Sequence, residues 1–170
     1  MRIFRNLQAL PTFKNAVVTI GTYDGVHAGH RKIIQHINAL AHENEGESIL
    51  ITFHPHPRTI VRTENKIELL SLLEEKFDVL KQCGVDNVVV VPFTRAFSQQ
   101  SPAAYVQDFL VKNFQPSKIV IGYDHRFGKN RAGDLSLLKK MGQSLAFEVV
   151  EISKHVLADL AVSSTKTRNA

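Results

Sequence analysis

Apolar residues along this chain gather in two kinds of pattern. Five short runs are continuous or nearly so: Ala16–Ile20, Ser48–Phe53, Asn87–Val91, Lys118–Ile121 and Phe147–Ile152. Their richness in Val and Ile predicts buried strands. The stretches between them are periodic instead. Ile33, Ile34, Ile37, Leu40 and Ala41 mark one helical face, and Leu69, Leu70, Leu72, Leu73, Phe77 and Leu80 a second. Tyr105, Val106, Phe109 and Leu110 mark a third, and Leu135, Leu138 and Met141 a fourth. The boundaries carry their own chemistry. Cys83-Gly84 closes the second helix, Ser101-Pro102 opens the third with a cap and a first-turn proline, and Asp134 caps the fourth. Residues 2–15 read as a lead-in, with Leu10-Pro11-Thr12 a loop.

Strands that alternate with helices and lack polar alternation are covered on both faces. That pattern predicts an α/β protein with a doubly wound, Rossmann-like parallel sheet. In such sheets a ligand binds beyond the carboxyl ends of the strands, at a topological switch. The unusual turns follow Ile20, Phe53, Val91 and Ile121, so they are expected to converge on one cleft.

Composition narrows the classes. A chain of 170 residues has room for a single domain with a real core, and residues 1–170 are taken as one. Its net charge of +5 suits phosphorylated ligands. There is no Lys/Arg run and no aromatic platform among basic residues, so a nucleic-acid partner is not expected. No apolar run is long enough to span a bilayer, and Met1–Arg5 lacks a signal-peptide core. A membrane partner is therefore not expected, and the cytoplasm is the default. The single cysteine, Cys83, excludes an internal disulfide and a thiolate zinc cluster.

The chemistry concentrates in Gly21-Thr22-Tyr23-Asp24-Gly25-Val26-His27-Ala28-Gly29-His30, a glycine-rich turn from strand to helix. A helix start offers unpaired N–H groups and a positive dipole end, which suit phosphate. His27 and His30, three apart, project from one side of that first turn. Gly21, Gly25 and Gly29 allow positive φ and close approach of the backbone to a ligand. The turn has neither the Gly-Lys-Ser/Thr of a P-loop nor the Gly-x-Gly-x-x-Gly of dinucleotide-binding folds.

Three further stretches stand out. Gly122–Asp134 places Arg126, Lys129 and Arg131 among glycines directly after a strand, as a polyphosphate-facing loop would. Phe53-His54-Pro55-His56-Pro57-Arg58 is stiff and flat-faced, which suits a planar ring. His54 and His56 alternate along an extended chain and point apart, so they do not share one metal ion, and no protein-held metal site is expected. Ser163-Ser164-Thr165-Lys166-Thr167-Arg168 places hydroxyls at a helix start with Lys and Arg behind them, a phosphate clamp.

Taken in order, these stretches resemble the FMN adenylyltransferase (FAD synthetase) module of bacterial bifunctional riboflavin kinase/FAD synthetases, in the nucleotidylyltransferase superfamily. His27-Ala28-Gly29-His30 matches the superfamily's His-x-Gly-His, and Gly21 to His30 its longer flavin-specific form. The Gly122 stretch is similar to the family's Gly-x-Asp-Phe-Arg-Phe-Gly-x-x-Arg-x-Gly-Asp, with His125 where Phe is expected. The terminal stretch is similar to Ser-Ser-Thr-x-Ile-Arg, with Thr167 for Ile. The resemblance spans Gly21 to Arg168.

The resemblance implies transfer of AMP from ATP to FMN, giving FAD and pyrophosphate, with Mg²⁺ accompanying ATP. It implies catalytic roles for His27, His30 and Arg168. Gly21, Tyr23, Asp24, Gly29, Gly122, Asp124, Arg126, Ser163, Ser164, Thr165 and Lys166 are expected on the ATP side. Phe53, Pro55, His56, Pro57, Arg58 and Phe127 are expected beside the flavin. Family members commonly continue into a riboflavin kinase β-barrel. Nothing in these 170 residues codes for one, so the chain is expected to be either an excised module or a stand-alone adenylyltransferase. The alternatives are a nucleotidylyltransferase for another phosphate acceptor, such as nicotinamide mononucleotide, or a non-catalytic nucleotide-binding module.

Overall fold

The computed structural model describes residues 1–23, 28–55, 57, 73–123 and 125–153. Among the described residues, six parallel strands form one sheet in the order β1-β4-β3-β2-β5-β6. They are β1 (Arg2–Phe4), β2 (Val17–Ile20), β3 (Ser48–His54), β4 (Asn87–Pro92), β5 (Lys118–Gly122) and β6 (Glu148–Ile152). The five strands expected from apolar runs are present within a residue or two. The sixth, β1, was expected to be part of a loop-like lead-in. It is three residues long and largely exposed, with no apolar run of its own. Its ladder with β4, Arg2 opposite Asn87 through Phe4 opposite Val89, makes it a strand.

Helices cover both faces because strand side chains alternate between them. Val18, Ile20, Ile49, Ile51, Val89, Val91, Ile119 and Ile121 share one buried cluster. It packs beneath α4, in which Pro102–Ala104, Tyr105–Val111 and Lys112–Phe114 run on as one helix, and beneath α5 (Leu135–Leu145). Their sequence neighbours face the other way: Val17, Leu50, Val88, Val90 and Val120. These pack against α1 (Ala28–Glu43) and α2 (Leu73–Gln82) through Ile34, Ile37, Phe77 and Leu80. The short helix α3 (Arg95–Ser98) follows β4. The residues expected before Leu73 in the second helical face lie outside the described residues.

Expected boundaries hold for stated reasons. Ser101 accepts from the Ala104 amide at 3.1 Å with Pro102 in the first turn, and Asp134 accepts from the Leu137 amide at 2.9 Å. Gly84 takes φ 82° after α2. The middle of α4, Tyr105–Val111, is wound as a π-helix, which the 3.6-residue pattern does not reveal. Even so, Tyr105, Val106, Phe109 and Leu110 are all buried, as their spacing implied.

From β2 the chain adds β3 and β4 on one side, then returns to place β5 on the other side of β2. The topological switch therefore lies between β2 and β5, and any ligand cleft is expected above their carboxyl ends.

Helix α5 ends on Ala146, an exposed non-glycine residue at φ 63°, ψ 42°. A left-handed L-residue costs about 1–2 kcal/mol, and glycine's extra freedom in the unfolded chain returns about 0.4–1 kcal/mol of that. Ala146→Gly is expected to stabilise the fold by about 0.5–1 kcal/mol, read as a higher urea midpoint at unchanged m.

Candidate active site

The cleft opens where the topology places it. It encloses about 260 Å³ and is lined by Thr19, Ile20, Gly21, Thr22 and Tyr23 from β2 and its continuation. His30 and Ile33 of α1 form another wall, and Ile121, Gly122, His125 and Ile152 close the β5 and β6 side. The structure brings Gly21, Tyr23 and Gly122, expected on the ATP side, together here with His30, expected to be catalytic. Gly29 lies in the first turn of α1.

Tyr23 organises this wall. Its backbone is left-handed, φ 51°, which turns the ring inward to a buried position under the cleft. There its hydroxyl pairs with the Thr19 hydroxyl at 2.9 Å. The ring meets the His30 imidazole edge-on, with centroids 5.2 Å apart. Burial and the two contacts offset the cost of the left-handed backbone. Thr19 is thus a site residue that the sequence reading passed over; its signal was a lone polar residue inside the run Ala16–Ile20. Burial pushes the Tyr23 phenol up to about 12, opposed only by its bond to Thr19. Burial also pushes the Tyr105 phenol upward.

Gly21 acts differently from expectation. Its φ is not positive; Gly84 and Gly128 are the described glycines with that conformation. Its role is space. A Cβ on Gly21 would stand 2.8 Å from Cε2 of Tyr23. The positive φ of this turn falls on Tyr23 instead.

The Gly122–Asp134 loop is pinned from below. Phe127 and Gly133 exchange backbone hydrogen bonds of 3.1 and 2.9 Å, and the Lys129 amide donates to the Gln100 carbonyl at 2.6 Å. Phe127, expected beside the flavin, is 5% exposed and stacks on Tyr105 with centroids 5.2 Å apart. It anchors the loop in the core and does not present a face to solvent. A Cβ on Gly133 would enter its ring, which explains that glycine. His125 stacks on the other end of this column, 6.1 Å from Phe127, and is the member that reaches the cleft. Arg126, expected to face ATP, is exposed, lies 3.8 Å from Asp134 and is not part of the cleft lining.

The expected flavin side lies at the end of β3. Phe53 is half-buried, edge-on to Phe93 at 5.4 Å and tilted against Phe97 at 5.7 Å. The His54–Pro55 peptide is cis, Pro55 is exposed and Pro57 half-buried. Phe97 in turn meets Tyr105 at 6.0 Å, so one run of aromatic rings joins Phe53 to His125. Asp24, His27, His56, Arg58, Asp124, Ser163, Ser164, Thr165, Lys166 and Arg168 lie outside the described residues.

Among the described residues no cluster of three or more metal-ligating side chains forms. The lining offers imidazoles and hydroxyls, a donor set that does not make a protein cage for magnesium, which takes oxygen ligands and keeps several waters. No helix of the described residues is long and apolar enough to cross a membrane.

A parallel sheet with a cleft at its switch point, walled by Gly21–Tyr23 and the first turn of a helix, places the chain in the doubly wound α/β class. A family model described as FAD synthetase matches residues 10–166. The chain belongs to that family. The bifunctional riboflavin kinase/FMN adenylyltransferase of Escherichia coli (strain K12) is 33% identical over 170 residues, covering 100% of this chain and 54% of that protein. Its counterpart in Listeria monocytogenes serovar 1/2a is 34% identical over 157 residues, covering 92% of this chain and 49% of that protein. The chain therefore spans about half the length of the curated relatives it matches. A crystal structure of a macrolide-efflux protein from Streptococcus pneumoniae superposes with a TM-score of 0.74 over 89% of this chain and 49% of that one. At 21% identity it shows a shared fold.

Two outcomes test this construction. Gly21→Ala is expected to destabilise by about 1–3 kcal/mol through its collision with the Tyr23 ring. Because Tyr23→Ala removes the obstacle, the double variant should be less destabilised than the sum of the two; additive losses would place the strain elsewhere. For pH, a phenol with a raised native pKa favours the neutral form, so its contribution is complete below the ordinary value of 10.0 and is lost as pH rises toward 12. The urea midpoint is expected to fall across that interval, and Tyr23→Phe should reduce the slope.

Proposed function

We propose that this chain transfers AMP from ATP to FMN, giving FAD and pyrophosphate. The observation that carries the reading is the cleft between β2 and β5, with His30 in the first turn of α1 above the Gly21–Tyr23 wall. The family match supports the acceptor.

The chemistry asks little of a general base, because the FMN phosphate is already ionised at neutral pH. One of its oxygens attacks the α-phosphorus of ATP, a P–O bond forms, and the bond to the β-phosphate oxygen breaks. Catalysis then reduces to alignment and to stabilising charge on the α-phosphate and the departing pyrophosphate. In this reading His30 donates to those oxygens from the helix start, and His27 joins it. The backbone at Gly21, Thr22 and Gly122 holds the nucleotide close. Lys166 and Arg168 neutralise the β- and γ-phosphates, and Ser163, Ser164 and Thr165 donate beside them. Magnesium would enter with ATP and not through a protein-held site, and would supply charge neutralisation at the phosphates. The flavin lies on the β3 side, against Phe53, Pro55 and Pro57, with Phe127 supporting the intervening wall from below.

Incubation with ATP, Mg²⁺ and FMN, with separation of FAD and pyrophosphate, tests the proposal directly. Turnover of nicotinamide mononucleotide in preference to FMN would reassign the acceptor. His30→Ala and His27→Ala are each expected to lower kcat by about 10²–10³, with a much smaller effect on melting temperature. Parallel losses of activity and stability would make these histidines structural.

A further inference from the structure

Helix α2 carries a charged residue where its apolar stripe should continue. Leu73, Phe77 and Leu80 face the sheet, and Lys76, three residues after Leu73 and four before Leu80, shares that face. Its neighbours Glu74, Glu75 and Asp78 are exposed, whereas Lys76 is 6% exposed. An ammonium placed there gives up water, which is costly unless a partner replaces it. A methionine would fill the same volume without that cost, so packing alone does not account for the charge.

Lys76 Nζ donates to the Thr22 carbonyl at 2.6 Å. The same oxygen accepts from the Thr52 hydroxyl of β3 at 3.1 Å. One backbone carbonyl in the cleft wall is therefore held by two donors from two separate elements, one of them cationic. That carbonyl belongs to the peptide joining Thr22 to Tyr23. Its orientation is coupled to the left-handed φ of Tyr23 and so to the inward turn of the ring that meets Thr19 and His30.

We propose that Lys76 is a positioning residue for adenylyl transfer: with Thr52 it locks the Thr22–Tyr23 peptide, and through Tyr23 it sets the position of His30 at the phosphate end of the cleft. The inference rests on the adenylyl-transfer reading for its kinetic readout alone. The lock itself is a matter of hydrogen bonds and backbone geometry.

The test uses Lys76→Met, Lys76→Arg, Thr52→Val and the Lys76→Met/Thr52→Val pair. Small misplacements of reacting groups cost on the order of 10²-fold, so Lys76→Met is expected to lower kcat by about 10- to 100-fold with the FMN KM unchanged. Its melting temperature is measured beside kcat: a loss confined to kcat marks positioning, and a parallel loss of both marks a structural role. Lys76→Arg restores part of the rate. Thr52→Val lowers kcat less, and the pair is non-additive because both donors act on one oxygen. The Tyr23 amide resonance, which reports the Thr22 peptide, shifts in Lys76→Met and in Thr52→Val. Unchanged kcat and an unmoved Tyr23 amide in Lys76→Met would overturn the proposal. If Lys76→Met fails to fold, Thr52→Val and Lys76→Arg decide it by the same two readouts. If the parent protein makes no FAD, the adenylyl-transfer reading falls; the Tyr23 amide and ATP affinity of the variants then judge the lock separately.

Discussion

The chain leaving β2 must pass over the carboxyl edge of the sheet at the one place where its neighbours send helices to opposite faces. That constraint organises the molecule. With β3 hydrogen-bonded on one side and β5 on the other, β2 cannot spread sideways. The segments that follow β2 and β5 therefore part above the sheet and leave a cleft. The helix α1 begins there, so its N-terminal end and dipole face the cleft for the same topological reason.

What remains is to fix the first residues after β2, and the structure does so from below. Tyr23 turns inward, its hydroxyl bonds to Thr19 on the buried strand, and its ring supports His30. Gly21 leaves room for that ring. Thr52 and Lys76 hold the intervening carbonyl. Four elements thus converge on three residues, as the proposed adenylyl transfer, which depends on alignment more than on proton transfer, would require.

The opposite wall follows the same logic with different materials. Phe127, Tyr105 and Phe109 stack within the core, and Phe97 links them to Phe53 at the end of β3. The aromatic rings that the sequence suggested as ligand surfaces serve in part as the support on which the loops after β3 and β5 rest. The π-wound middle of α4 places Tyr105 and Phe109 parallel, 5.2 Å apart, within that column.

The sequence by itself determined the fold class, five of the six strands, the caps at Ser101 and Asp134, and the turn that forms the cleft. Each is a local signal: an apolar run, a helical period, a capping side chain or a glycine-rich junction. It also singled out Gly21, Tyr23, His30 and Gly122, which line the cleft, because residues after a strand in an α/β protein face its carboxyl-end crevice. Tertiary structure alone decided the rest. Strand β1 exists through pairing with β4, so its own residues carry no strand pattern. Phe127 and Arg126 sit in one glycine-rich loop, yet one is drawn into the core and the other left beside Asp134. That choice depends on Tyr105, Gly133 and the neighbouring helix start, which are distant in sequence or invisible to periodicity. Lys76 sits as a charge on an apolar stripe, and the Thr22 carbonyl to which it donates lies 54 residues away, reached only once α2 is laid across the sheet.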